Sequence, residues 1–322
     1  MRICSIRLYR HLLVLLLCAV LSACAATGED VFALPECGPG RSITLPFLMA
    51  GPMPILRVRV QDVPVRFLLD TGAARSAIER RMALALGVMH DATRENIRDI
   101  TGEHPADFVV LPKLDIGEVH LTDRRVLVSD GLPFDGVIGL DILSRYALEL
   151  DEAHGIAMLH TGRMCEGQRP FPDAGMIDMP AIQGIGDGRD ARRRVEPFLL
   201  VAARLDGVLG LAMFDSGAIG GSVVSPGYAE KVGVSAAQLA QDQPVYPRGF
   251  GGKIALHLHR FGELELNGEV FRRPILMVST DSGARFQLVI GADYFRTHRL
   301  WFDFASKRVF SVPLLTQNAP GS

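Results

Sequence analysis

The sequence predicts an all-β protein made of two similar lobes, and three observations support this fold class. An apolar strand leads into Asp-Thr-Gly at Asp70, and a second one leads into Asp-Ser-Gly at Asp215, 145 residues later. Further landmarks follow each tripeptide in the same order. The chain of 322 residues contains 33 glycines and 19 prolines, which suits many short strands and turns. Two carboxylates that arrive by the same local route indicate a pair at the interface of the two lobes.

The landmarks after each tripeptide define a repeat of about 120 residues. Val137-Ile138-Gly139 is matched by Val289-Ile290-Gly291, and Leu148-Glu149-Leu150-Asp151 by Leu300-Trp301-Phe302-Asp303, each 152 residues later. A short helix is predicted after each tripeptide as well. Ser76 is the expected N-cap of the first helix, which ends at Gly87; Ser225 is the expected N-cap of the second, with Pro226 at its first position and Gly233 at its end.

The N-terminal stretch 1–23 is predicted to be an export signal. Three arginines precede the apolar run 12–20, which is too short for an ordinary membrane span and typical of a signal peptide. The run ends at Leu21-Ser22-Ala23-Cys24, which resembles a bacterial lipobox. The resemblance implies cleavage before Cys24 and lipidation of this cysteine, and Ala25 favours the outer membrane. The protein would then be anchored at the periplasmic face of that membrane. An export signal without lipidation is the alternative.

Removal of the signal changes the cysteine count and the charge. Cys4 and Cys18 leave with the signal and Cys24 carries lipid, so Cys37 and Cys165 remain and are predicted to form a disulfide. Two free thiols are the alternative. The mature chain keeps 31 basic and 36 acidic residues, a net charge of −5, which gives no electrostatic case for nucleic-acid binding. No Cys/His spacing suggests zinc, so neither a metal nor a cofactor is expected.

The remaining chain divides into five predicted segments. They are a tether (24–41), lobe one (42–162), an interlobe linker (163–194), lobe two (195–315) and a tail (316–322). Lobe one opens with alternating apolar and charged residues, as in Ile55-Leu56-Arg57-Val58-Arg59-Val60, the pattern of a half-buried strand. In lobe two, Asp206-Gly207 is a hairpin turn signal after an apolar strand.

Over residues 43–315 the chain resembles bacterial aspartic peptidases of the two-lobed retropepsin-like type. The residues that carry the likeness are the two tripeptides and the two hydrophobic-hydrophobic-Gly segments. The resemblance implies two acid-protease β-barrel lobes with an active-site cleft between them. It also implies that Asp70 and Asp215 are the catalytic carboxylates. Thr71 and Ser216 would hydrogen-bond across the interface, while Gly72 and Gly217 would let the backbone approach the carboxylates closely.

The chemistry of such a pair requires two carboxyl groups and no metal. Two adjacent carboxylates cannot both be ionised cheaply, so one pKa rises and the pair shares a proton. The ionised member can take a proton from water while the protonated member polarises the scissile carbonyl. Ala73 and Ala218 follow the glycines, as in retroviral-type enzymes, where pepsin-like enzymes commonly have a hydroxyl. We therefore expect a pH optimum nearer neutral than that of pepsin.

Each lobe is expected to carry a flap, a hairpin that closes over the substrate. The candidates are Thr101 and Gly102 in lobe one, and Gly249 and Phe250 in lobe two. Either stretch could equally be an ordinary hairpin tip. A third copy of the tripeptide, Asp281-Ser282-Gly283, lacks a long apolar strand before it and is interpreted as a turn.

The predicted function is that of an exported aspartic endopeptidase that acts on a peptide or protein substrate and needs no cofactor. A monomer is expected because both halves of the site lie in one chain. The alternative is a catalytically inactive, peptide-binding envelope lipoprotein of the same fold. A protease specialised for one envelope protein is a third hypothesis.

Overall fold

Lobe one consists of β-strands and two short helices. The computed structural model describes residues 38, 40–99, 102–162, 164, 165, 167–172, 175–185, 195–249, 252–280 and 286–314. The elements of lobe one are Ser42–Thr44 (β1), Phe47–Ala50 (β2), Met53–Val60 (β3), Val63–Leu69 (β4), Ala77–Glu79 (β5), Arg80–Ala85 (α1), Met89–Asp99 (β6), Gly102–Ile116 (β7), Val119–Ser129 (β8), Gly136–Ile138 (β9), Leu140–Leu143 (α2), Ala147–Asp151 (β10) and Ile156–His160 (β11).

The second half of the chain is again mostly β-structure. Its elements are Ile177–Ile185 (β12), Val195–Leu205 (β13), Val208–Phe214 (β14), Val223–Val224 (β15), Pro226–Lys231 (α3), Ala236–Leu239 (α4), Gln243–Val245 (β16), Arg248–Gly249 (β17), Gly252–Lys253 (β18), Leu256–Arg260 (β19), Glu263–Leu266 (β20), Glu269–Arg272 (β21), Ile275–Ser279 (β22), Leu288–Ile290 (β23), Ala292–Phe295 (α5), His298–Asp303 (β24) and Arg308–Pro313 (β25). The predicted all-β fold class is thus confirmed.

The two lobes pair their central strands in the same order. Lobe one has the order β3-β4-β9-β5-β8-β7, and lobe two has β13-β14-β23-β15-β22-β19. The strand before each Asp-Thr/Ser-Gly runs parallel to the strand of the later Val-Ile-Gly: Leu69 pairs with Ile138, and Phe214 with Ile290. A strand inside such a sheet is covered on both faces, which explains why its last residues are a continuous apolar run.

The sheet of lobe two continues through β13 into strands that join the lobes, in the order β12-β25-β24-β10-β11-β1. The central pair of these strands is antiparallel and links Leu148 of lobe one with Phe302 of lobe two, and Leu150 with Leu300. The predicted interlobe linker contains β12, which pairs with both β25 and β13. One cluster of buried apolar residues draws on both lobes, so the hydrophobic core continues from one lobe to the other.

The turns and helix caps are partly as predicted. Asp206 and Gly207 form the two-residue turn between β13 and β14, both with positive φ, as the hairpin signal indicated. Ser225 accepts a hydrogen bond from the backbone of Tyr228 and caps α3, with Pro226 at its first position. The prediction that Ser76 caps the first helix is wrong. Residues 77–79 continue as strand β5, and Glu79 caps α1.

Several predicted features lie outside the described residues, namely the export signal, Cys24, Cys37 and the tail. Cys165 forms a disulfide; its pairing with Cys37 stays a prediction. In the part of the chain that the structure describes, no helix is long and apolar enough to cross a membrane.

Candidate active site

Asp70 and Asp215 lie on two loops that approach each other between the lobes. Each loop begins at the end of a buried strand, and the later Val-Ile-Gly strand fixes its start. The Asp70 backbone N–H donates to the carbonyl of Ile138 at 3.0 Å, and that of Asp215 donates to Ile290 at 2.9 Å. Because these two hydrogen bonds are equivalent, both aspartates leave their strands in the same way and point to a common centre.

Thr71 and Ser216 bind the two loops to each other. The Thr71 amide donates to the Ser216 hydroxyl at 3.0 Å, and the Ser216 amide donates to the Thr71 hydroxyl at 3.0 Å. Each hydroxyl also donates to a strand carbonyl of the other lobe, Thr71 to Phe214 at 2.9 Å and Ser216 to Leu69 at 2.8 Å. Both side chains are buried. Four hydrogen bonds in an apolar setting therefore hold the loops in one relative position.

Gly72 and Gly217 allow each carboxyl group to approach the backbone of the opposite loop closely. The Gly72 amide donates to Asp70 Oδ1 at 2.8 Å, and the Gly217 amide donates to Asp215 Oδ1 at 2.8 Å. A Cβ atom on Gly72 would lie 2.1 Å from Cγ of Asp215, and one on Gly217 would lie 2.6 Å from Cγ of Asp70. Each carboxyl group therefore lies directly against the glycine of the opposite loop, and no side chain fits at either glycine position.

The pKa values of the two carboxyl groups are shifted to different extents, although the groups are hydrogen-bonded to each other. Burial raises the pKa of Asp70, and the hydrogen bond that it receives from Asp215 partly offsets this rise. Burial and the negative charge of Asp70 together raise the pKa of Asp215 well above its usual range. The pKa of Asp215 is thus raised more than that of Asp70. Both residues retain some accessible surface, so water can reach them.

A second pair of contacts supports each loop from behind. In lobe one, the Ser76 hydroxyl donates to Asp141 Oδ1 at 2.7 Å and accepts from the Gly139 amide at 3.0 Å. In lobe two, the Ser222 hydroxyl makes the same contacts with Asp293 and the Gly291 amide, at 2.7 and 3.0 Å. The polar side chains in these contacts were not among the predicted site residues, and Ser76 was predicted only as a helix cap. The aspartate two positions after each Val-Ile-Gly was the available signal.

The two described flap candidates, Gly102 and Gly249, lie at the ends of paired strands. Strands β6 and β7 form a long hairpin in which Asp99 pairs with Gly102, and Thr101 lies outside the described residues. Strands β17 and β18 form a short one in which Gly249 pairs with Gly252, and Phe250 also lies outside the described residues. Gly102 and Gly249 are thus parts of hairpins. Closure of these hairpins over a substrate stays a prediction.

A polar cluster that the sequence analysis missed connects the long hairpin to the Asp70 loop. Arg75, five residues after Asp70, lies 3.3 Å from the Glu95 carboxylate on β6. Arg125 on β8 binds the same carboxylate at 2.8 Å, and its guanidinium stacks 3.5 Å above the ring of Phe108. These side chains hold the described base of the hairpin close to the loop that carries Asp70.

The described residues contain no group of three or more His, Cys, Asp or Glu side chains arranged to hold a metal ion. The site as described consists of two carboxyl groups with backbone and hydroxyl donors around them. Such an arrangement can activate a water molecule and polarise a carbonyl by acid and base chemistry.

Residues 56–142 match the sequence model of a family described as aspartyl protease. This stretch holds strand β4, the Asp-Thr-Gly of Asp70 and the later Val137-Ile138-Gly139. No curated protein gives a significant match to the chain. The chain is therefore similar to aspartyl proteases over the part that carries Asp70, and this similarity supports a hydrolase of the protease class.

Proposed function

We propose that the protein is an aspartic endopeptidase in which Asp70 and Asp215 activate one water molecule. The observation that carries the proposal is the crossed arrangement of the two loops, in which each carboxyl group lies directly against the glycine of the opposite loop. The reciprocal hydrogen bonds of Thr71 and Ser216 maintain this arrangement. A cleft that only binds peptides would not need two adjacent carboxyl groups, which are costly to desolvate.

In the proposed reaction, the ionised Asp70 takes a proton from the water as its oxygen attacks the carbonyl carbon of the substrate. The protonated Asp215 donates a hydrogen bond, and then its proton, to the carbonyl oxygen. The tetrahedral intermediate collapses when the C–N bond breaks, the leaving nitrogen receives the proton held by Asp70, and Asp215 recovers its proton. The pair ends in its starting state, and no covalent enzyme intermediate forms.

The first test is cleavage of a peptide library. The full chain, purified in detergent, is incubated with diverse peptides and with proteins of the bacterial cell envelope, where the predicted export signal and Cys24 would place the enzyme. The variant Asp70→Asn keeps the shape of the side chain but cannot act as the base. Asp281→Asn is the matched control, because it alters the third copy of the tripeptide, which we interpret as a turn. Mass spectrometry identifies the cut sites.

Cleavage by the wild type and by Asp281→Asn, but not by Asp70→Asn, is the expected result. Cleavage that persists in Asp70→Asn would show that other residues, or a contaminant, are responsible. If all three folded proteins leave every substrate intact, the inactive peptide-binding lipoprotein becomes the better account.

We expect the activity to peak above about pH 4, the usual carboxyl range. Below the pKa of Asp70 both carboxyl groups are protonated and the water is not activated; above the pKa of Asp215 the shared proton is lost. Burial raises both pKa values, so the active window moves upwards. A profile of kcat/KM against pH, measured on a substrate without titratable side chains, tests this expectation. A maximum below about pH 3 would contradict it.

A further inference from the structure

Glu152 is a buried carboxyl group without hydrogen-bond partners. It follows strand β10 in the turn before β11, and only 3% of its surface is exposed. Within the described part of the chain, neither of its carboxyl oxygens has a partner. Buried polar groups are normally satisfied, and an isolated carboxylate is especially costly to bury. A function for Glu152 would explain why this residue is tolerated.

The internal repeat identifies the residue of lobe two that corresponds to Glu152. Glu152 corresponds to Phe304, because Asp151 and Asp303 are matching landmarks. Strands β10 and β24 pair antiparallel about Glu149 and Trp301, so the two hairpins that they begin extend in opposite directions. Phe304 lines a small cavity together with Thr71, the residue after Asp70. The same symmetry predicts that Glu152 lies near the loop of Asp215.

Arg296 connects Glu152 to that loop. It follows helix α5, and its positive charge acts on the Glu152 carboxyl group. Its guanidinium also donates to the carbonyl of Ile219 at 3.5 Å. Ile219 lies four residues after Asp215, and its amide donates to the Gly217 carbonyl at 2.9 Å. A change in the charge of Glu152 can therefore reach the Asp215 loop through one arginine.

We propose that Glu152 is a positioning residue for Asp215 that responds to pH. When Glu152 is neutral, Arg296 remains on the Ile219 carbonyl and the loop 215–221 keeps its position. When Glu152 is ionised, its carboxylate attracts Arg296 away from Ile219, and the loop loses this support. The enzyme would thus lose activity on the alkaline side through a group that never touches the substrate. This proposal rests on the proposed peptidase function.

The charges around Glu152 place this change near neutral pH. Burial raises its pKa to about 7, and Arg296 opposes the rise only in part. On its own turn, Asp151 is engaged by His154, whose Nδ1 lies 2.8 Å from Asp151 Oδ2. Because the pKa is raised, the neutral form dominates below about pH 7 and the ionised form above it.

The pH dependence of activity tests the proposal in the full chain purified in detergent. One pH unit above a pKa of about 7, only about a tenth of Glu152 is protonated. We therefore expect the ratio of kcat/KM at pH 8 to that at pH 5.5 to be about tenfold higher in Glu152→Gln than in the wild type. Losses that arise from the Asp70–Asp215 pair occur in both proteins and cancel. Glu230→Gln, an exposed glutamate on α3, is the control and should leave the ratio unchanged.

A second measurement keeps the proposal independent of catalysis. Hydrogen exchange of the peptide spanning 215–221, corrected for the intrinsic pH effect, should rise between pH 5.5 and 8 in the wild type and stay level in Glu152→Gln. Glu152→Met serves in the same way if the glutamine variant does not fold. Equal exchange in wild type and variant, or equal activity ratios, would overturn the role of Glu152. A wild type without any cleavage but with the predicted exchange would count against the peptidase function alone.

Discussion

Glu149→Ala is expected to lower the free energy of unfolding by about 2 kcal/mol at pH 7, because it leaves a buried histidine and a partly exposed arginine without their partner. Glu149 lies on β10 and is 3% exposed. Arg299 on β24, in the other lobe, donates to Glu149 Oε1 through Nε at 2.9 Å and through its terminal nitrogen. His160 on β11 lies 3.0 Å from Glu149 Oε2. One carboxylate thus connects three strands of the sheet that joins the lobes.

The partners of Glu149 are themselves fixed by packing. His160 stacks on Trp301 with the ring centres 4.1 Å apart, and its Nδ1 lies 2.8 Å from the Ser42 hydroxyl. Arg299 lies 4.6 Å above the ring of Phe171. His160 therefore cannot easily turn to water when the carboxylate is removed, whereas Arg299, which is 36% exposed, is partly hydrated already. The cost of the substitution is therefore the cost of leaving them unpaired, which exceeds the net stabilisation by the pair itself.

The size of this effect should depend on pH in a definite direction. Burial alone would raise the pKa of Glu149, but the hydrogen bonds and charges of His160 and Arg299 outweigh it and lower the pKa. A lowered carboxyl pKa gives stability that is present above the usual glutamate value and is lost as the pH falls through the folded-state pKa. Denaturant unfolding of wild type and variant should therefore differ most at neutral pH and less below about pH 4.

Glu263→Ala is the matched control for this prediction. Glu263 also pairs with an arginine, Arg272 at 3.5 Å, but the two side chains are 44% and 81% exposed. An exposed pair of this kind contributes less than about 1 kcal/mol. Similar losses of stability in Glu149→Ala and Glu263→Ala would mean that the network around Glu149 does not hold the lobes together.

The sequence was sufficient to predict the local parts of the site. A continuous apolar run before Asp-Thr-Gly or Asp-Ser-Gly is a short-range pattern, and it marks a buried strand that ends in a turn. The ordered repeat then related Asp70 to Asp215 and each of them to a later glycine, although no contact was visible. In the structure, the strands of Ile138 and Ile290 lie beside those of Leu69 and Phe214.

The contacts between distant segments could not be predicted in this way. Ser76 looked like a helix cap because the sequence after it resembles a helix start, but its hydroxyl binds Asp141, 65 residues away. The pairing of β12 within a segment that looked like a linker has the same cause. In the sequence, Glu152 is one of several polar residues in a hairpin turn, and nothing there indicated that it is buried. Its burial depends on the segments that cover the turn in the folded protein, which a local pattern does not contain.

Gly72→Ala is expected to reduce kcat/KM at least about 100-fold, because the new methyl group occupies the place of the Asp215 carboxyl group. The Cβ atom would lie 2.1 Å from Cγ of Asp215 and 2.3 Å from both of its carboxyl oxygens. Contacts this short cannot persist, so the carboxyl group must move by about an ångström or more. A displacement of about 1 Å can lower a reaction rate about 100-fold when the geometry of attack is tightly set.

The methyl group is excluded only by the lack of space around Gly72. The backbone itself would accept alanine, because the φ angle of Gly72 is not in the left-handed region. The fold should therefore form in the variant, and the loss should appear mainly in kcat, with a smaller loss of stability. The reciprocal variant, Gly217→Ala, brings a Cβ within 2.6 Å of Cγ of Asp70 and should act in the same direction. Circular dichroism and thermal unfolding would verify that both variants are folded before their activity is compared.

Gly227→Ala separates the loss of space at the active site from the general effect of replacing a glycine. Gly227 lies in helix α3, and a Cβ atom there meets no atom within 4 Å. This control should keep full activity and gain up to about 1 kcal/mol of stability, since alanine favours the helix. If Gly72→Ala were as active as Gly227→Ala, the position of the Asp215 carboxyl group would not matter for the reaction, and the proposed pairing of Asp70 with Asp215 would be wrong.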